Sequence, residues 1–143
     1  MSEDTDVKTV LILLNDSDNS SSVFDRVVEL GHSPIEVEDI ETARRHIEDY
    51  DIDAVIFSQN VYETQEQRDS LPTKDAGFKF ASELKEQHPT IRRGYYAFAR
   101  VAPQQYQDIL DAGYFIPHCN QEKGLQNIKT LIIAYFLSIS IKY

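Results

Sequence analysis

The amino-acid sequence predicts a single α/β domain, a doubly wound parallel sheet of five strands in the order 2-1-3-4-5. Two observations carry this. Five short, branched apolar runs alternate along the chain with five segments of helical spacing. Parallel neighbours need crossover connections, and such connections are right-handed, which leaves this strand order as the common solution.

Each element has its own signal. Val7 to Leu14 is apolar apart from Lys8 and Thr9 and stops at Asn15-Asp16-Ser17-Asp18, as a strand covered on both faces does. Asn19 and the serines after it offer N-caps. Val23, Phe24, Val27, Val28 and Leu30 then recur at helical spacing, and Gly31 suits the stop. Ser33 to Val37 is a short second strand. Ile40, Ala43, Ile47 and Tyr50 make one stripe of a second helix, with Arg44, Arg45 and Glu48 turned outward. Asp53 to Ser58 is the third strand, followed by a polar connection over 59–76 that contains Pro72. Gly77 begins a helix in which Phe78, Ala81 and Leu84 share a face, ending at His88-Pro89. Gly94 to Phe98 is the fourth strand. Pro103 opens a fourth helix, with Tyr106, Ile109 and Leu110 inward and Ala112-Gly113 as its stop. Tyr114-Phe115-Ile116 is a very short fifth strand, and a fifth helix from Gln121 or Lys123 carries Leu125, Ile128, Leu131, Ile132 and Tyr135. Residues 1–6 are expected as a flexible tail and 7–143 as the domain, with 59–76 an inserted loop.

Composition removes several function classes. A length of 143 residues fits one domain, and 41% hydrophobic with 27% charged residues is ordinary for a soluble globular chain. The net charge of −10 repels a phosphate backbone, so nucleic acid is not an expected partner. The paired arginines, Arg44-Arg45 and Arg92-Arg93, read as salt-bridged or solvated. No apolar run reaches the ~20 residues of a membrane span, and the acidic start is neither a secretory signal nor a transit peptide. No membrane association is expected. The one cysteine, Cys119, allows no internal disulfide and suits a reducing, cytoplasmic setting.

Four stretches then point to a family. Leu11-Ile12-Leu13-Leu14 ends in Asn15-Asp16, and Asp53 is followed by four apolar residues and Ser58. Gly77-Phe78 with Leu84 and Pro89 marks a third helix and its exit, and Ala112-Gly113 precedes a short aromatic strand. In order and spacing, from about Val7 to Leu137, the chain resembles the bacterial response-regulator receiver family, whose fold is CheY-like or flavodoxin-like.

The resemblance also implies that the family's phosphorylation pocket is dismantled. Asn15 stands at the first pocket acid while Asp16 keeps the second, and Ser58 replaces the phospho-acceptor aspartate. Ala97 stands where strand four ends in Thr or Ser, and Phe115 matches the switch aromatic. His118 falls at the lysine and Cys119 at the proline after it; an alternative alignment takes Pro117 as that proline. Phosphoryl transfer of this kind needs a carboxylate nucleophile and Mg²⁺ held by oxygen ligands. A serine without an adjacent base and a single acid supply neither. The expected function is therefore a non-phosphorylated, stand-alone pseudo-receiver, a protein–protein interaction module in bacterial signal transduction, with no enzyme activity, metal or cofactor.

Other features are weighed against simpler readings. Ser17 to Ser22 at a helix start could cradle a phosphate, which would suit a flavodoxin-like binder of a nucleotide or flavin. Asp16 and Asp18 oppose that, and no glycine is present, so capping is preferred. His118-Cys119 lacks a second pair at metal spacing. His32, His46 and His88 read as surface residues. The connection Tyr62 to Ser70 is longer than the family's and lies at the carboxyl edge of the sheet, where loops carry binding function. A tolerated surface insertion is the simpler reading. The last segment is apolar on nearly every helical side, so Tyr135, Phe136, Ile139 and Ile141 are expected to form an interface. With the predicted fourth helix and fifth strand they would serve a homodimer or a protein partner.

Overall fold

The computed structural model describes residues 7–15, 17–98, 112–118 and 125–138. The described elements are β1 (Thr9–Leu13), α1 (Ser17–Glu29), β2 (Ser33–Val37), α2 (Ile40–Asp49), β3 (Ala54–Phe57), a 3-10 turn (Gln65–Asp69), α3 (Ala76–Gln87), β4 (Arg92–Phe98), β5 (Tyr114–His118) and α4 (Leu125–Ser138). The strands form one sheet, β2-β1-β3-β4-β5, with every neighbouring pair parallel. This is the expected order. The expected tail 1–6 and the helix expected from Pro103, with Tyr106, Ile109 and Leu110, lie outside the described residues.

Each sheet face carries a core. Leu11, Leu13, Val55 and Phe57 point to the side covered by α2 and α3, where Ala43, Phe80 and Leu84 meet them. Val10, Ile12, Ala54 and Ile56 point to the side of α1 and α4, against Val23, Val27, Ile133 and Phe136. Both faces of the central strands are thus dry, which is why β1 shows no alternation of polar and apolar residues.

Local chemistry sets the ends. α1 stops at Gly31, whose φ of 86° is the left-handed region glycine enters freely. The His32 N–H donates to Val27 O (3.1 Å) and the Gly31 N–H to Val28 O (2.9 Å), the paired bonds of a Schellman stop. α2 begins at Asp39, a buried cap whose carboxylate accepts from the Thr42 N–H at 2.7 Å.

Three expectations need correction and one is extended. Tyr50 is not part of the α2 stripe: the helix ends at Asp49, Tyr50 is extended (φ −132°, ψ 157°), and its side chain is exposed beside His46. Val28 is exposed, because it lies about 100° round α1 from the buried Val27. On α3, Phe78 does pack on the same core as Ala81 and Leu84, half-buried and edge-on to Tyr95 with ring centroids 4.9 Å apart, and Phe80 joins them as the fully buried aromatic. Phe136 is not an interface residue. It is 2% exposed, because its place on α4 turns it inward beside Ile133 and Leu137. There it packs over Gly94, where an added Cβ would stand 3.0 Å from its Cζ.

Candidate functional site

Parallel register gathers the predicted pocket positions into a row. Leu13 pairs with Phe57 and Phe57 with Tyr95, so Asn15, Ser58 and Ala97 stand at the carboxyl ends of β1, β3 and β4. Ala97 faces Pro117 and Phe98 faces His118 on β5, while Phe115 faces Tyr95. Asp16, Ile139, Ile141 and Cys119 lie outside the described residues. The carboxyl edge of an open α/β sheet is where such folds bind ligands.

Three side chains described in this row are a hydroxyl, a methyl and an amide, at Ser58, Ala97 and Asn15. Ser58 follows β3 directly, and its N–H donates to Leu13 O at 3.2 Å. Its carbonyl abuts α3 so closely that a Cβ on Gly77 would lie 1.7 Å from Ser58 O. Glycine is thus required by a close approach of backbones. Ala97 contributes only a methyl group, half-buried against the α2/α3 core. The exposed Asn15 donates its Nδ2–H to Asn60 O at 2.6 Å. Among the described residues no three His, Cys, Asp or Glu side chains group closely enough to hold a metal ion.

The connection over 59–76 is ordered by its own bonds. Val61 and Thr73 form an antiparallel bridge, with Thr73 N–H donating to Val61 O at 3.0 Å, and Val61 is buried in the α2/α3 core. Gln59 bridges two elements: its Nε2 donates to Asp75 Oδ1 (2.6 Å) and its Oε1 accepts from the Tyr95 hydroxyl (3.3 Å). Burial first, and the charge of Asp75 second, raise the Tyr95 phenol above its ordinary value, so it stays a donor at neutral pH. Asp75 holds a left-handed backbone (φ 61°), and its N–H donates to Asn60 Oδ1 at 2.9 Å. Asparagine and aspartate tolerate that region better than most side chains.

Beside the row, Leu14, Asn15, Ser20, Glu36, Tyr62 and Arg68 line a cavity of about 100 Å³. The buried Ser20 hydroxyl donates to the Glu36 carboxylate, and Arg68 from the inserted connection pairs with Glu38. The Ser20 hydroxyl of the Ser17–Ser22 stretch, which lines this cavity, is committed to a carboxylate, an arrangement unsuited to a phosphate. Further round, Arg44 clasps Glu83 through two bonds (2.9 and 2.6 Å), which raises the guanidinium and lowers the carboxyl pKa. This confirms the salt-bridged reading of Arg44.

No protein-family model matches the sequence, and no curated protein matches it. Solved structures do. The receiver domain of NtrX from Brucella abortus superposes with a TM-score of 0.70 at 17% identity, covering 92% of this chain and 99% of that one. A response regulator from Thermotoga maritima gives 0.69 at 14% identity over 93% and 99%. HP1043, an orphan response regulator of H. pylori, gives 0.63 at 14% over 90% and 96%. The fold is that of a receiver domain. Against the longer NtrX chain crystallised with ADP, this chain spans 26% of the length.

Sequence reading missed Gln59, Asn60, Gln67 and Tyr95 as the residues that organise this edge. The nearest signal was the unusual length of the connection, which marks a place without naming its residues. The half-buried His32 accepts on its Nδ1 from the Lys8 N–H at 3.0 Å at the opposite edge of the sheet.

Proposed function

We propose that this protein is a non-phosphorylated pseudo-receiver that works as a protein–protein interaction module in two-component signalling. Ser58 carries the reading. It follows β3 at the position to which the resemblance assigns a receiver's acceptor carboxylate, and Asn15, at the end of neighbouring β1, is an amide already bonded to Asn60. A serine hydroxyl is a weak nucleophile compared with a carboxylate in phosphoryl transfer, and an amide neither holds Mg²⁺ as a carboxylate does nor activates the serine. The Ala97 methyl cannot follow a phosphoryl group by hydrogen bonding.

The working face in this reading is the outer side of α4 with β5. Leu131 and Tyr135 stand one turn apart on α4, 68% and 70% exposed. Tyr114 on β5 is also exposed, and its ring meets Phe136 of the same helix at 5.9 Å. Large apolar side chains grouped in this way favour association, each contributing about 1.5–3 kcal/mol on full burial before the costs of binding. A second copy or a protein partner would take this face constitutively, since no phosphate sets the affinity.

The test is incubation with acetyl phosphate and Mg²⁺, followed by intact mass and by thermal denaturation with beryllofluoride. We expect an unchanged mass and an unchanged midpoint. A labile phosphoryl adduct, or stabilisation by beryllofluoride, would overturn the proposal.

A further inference from the structure

We infer that the connection over 59–76 is a built-in strap that locks the carboxyl edge of the sheet to the starts of α2 and α3, so that the edge has one state without a ligand or a modification. This stands independently of whether the domain is phosphorylated or which partner it binds.

The bonds run to the starts of two helices and to two strands of that edge. At α2, the Ile40 and Glu41 N–H groups, which a helix start leaves without intrahelical partners, donate to Tyr62 O (3.0 Å) and Glu63 O (3.1 Å). At α3, the Gly77 N–H donates to Gln59 O at 2.8 Å, and Asp75 is held from both sides by Gln59 and Asn60. The sheet contributes Asn15 beyond β1, bonded to Asn60 O, and Tyr95 of β4, bonded to Gln59. Arg68 adds an ion pair to Glu38, just before the α2 cap.

Gln67 ties the two halves of the strap together. Its Oε1 accepts from the Glu63 N–H at 2.7 Å, beside the carbonyls that cap α2. Its Nε2 donates to Thr73 Oγ1 (2.6 Å) and Leu71 O (3.2 Å), on the limb that leads into α3. One amide thus joins the α2 end to the α3 end. A flexible loop would leave these groups to water; here the chain's own residues take up the polar groups of an edge that open α/β sheets reserve for ligands.

A strap that acts as one body opens as one unit, and site-resolved amide hydrogen exchange on the full chain reads this directly. In the unmodified protein we expect Ile40, Glu41, Thr73 and Gly77 to be protected together. Gln67→Ala should speed exchange at all four by a similar factor of about tenfold or more, the scale of one or two net hydrogen bonds, and leave Leu11 and Ile12 unchanged. Gln67→Glu keeps the shape and the acceptor but lacks the amide donors, and should act in the same direction if Gln67→Ala fails to fold. The inference is overturned if these amides are unprotected from the start. It is equally overturned if either variant speeds Thr73 alone and leaves Ile40 and Glu41 as they were.

Discussion

Phe136 and Tyr135 are adjacent on α4 and should respond to substitution in opposite ways. The Phe136 ring is almost fully enclosed, packed edge-on to Tyr114 and against Ile116 and Ile133 over the bare Cα of Gly94. Truncation to alanine loses the transfer energy of the ring and leaves a cavity that Gly94, with no side chain, cannot fill. Such changes cost about 3–5 kcal/mol, a large share of the roughly 5–15 kcal/mol that holds a domain together. The thermal midpoint of a domain this size should fall by about 10–20 °C. Tyr135→Glu, at a position 70% exposed, should alter stability by less than about 0.5 kcal/mol while weakening any association through α4. Urea denaturation followed by circular dichroism measures the first effect, and light scattering over a dilution series the second. A Phe136→Ala protein within about 1 kcal/mol of the original would refute the enclosed ring. Loss of stability in Tyr135→Glu would refute the outward face.

Two further outcomes follow from backbone and charge. Gly77→Ala should destabilise by roughly 1–3 kcal/mol or more in urea, although helix propensity alone favours alanine by about 1 kcal/mol, because the new Cβ meets the fixed Ser58 carbonyl; a more stable variant would contradict that close approach. His32 is held below the ordinary histidine value by burial first and by the charge of Lys8 second, against a smaller opposing pull from Asp53. The unfolded chain therefore takes up a proton at higher pH than the folded one, and this contribution to stability, full above about pH 6.5, is lost as pH falls from there. His32→Asn offers the Lys8 N–H a non-titrating acceptor, so the urea midpoint should depend less on pH below about 6.5 in the variant than in the original; identical slopes would refute the assignment.

The sequence by itself determined the elements whose causes are local. Continuous apolar runs marked β1 and β3 as covered on both faces, and Leu11 and Val10 do lie on opposite cores. Gly31 announced the end of α1 because a Schellman stop needs a left-handed residue within one turn of the helix. The residues Asn15, Ser58 and Ala97 were legible as a row once the strand order was known, since parallel register places successive strand ends side by side. Only the tertiary structure decided what closes that row. Gln59 reaches Tyr95 and Asn15 reaches Asn60 across 36 and 45 positions of chain, and no local period or propensity encodes such a meeting. The same holds for α4. Its apolar residues run nearly all round the helix, so the pattern could not say which side faces the sheet; contact with Gly94 and Ile116 turned Phe136 inward and left Tyr135 out.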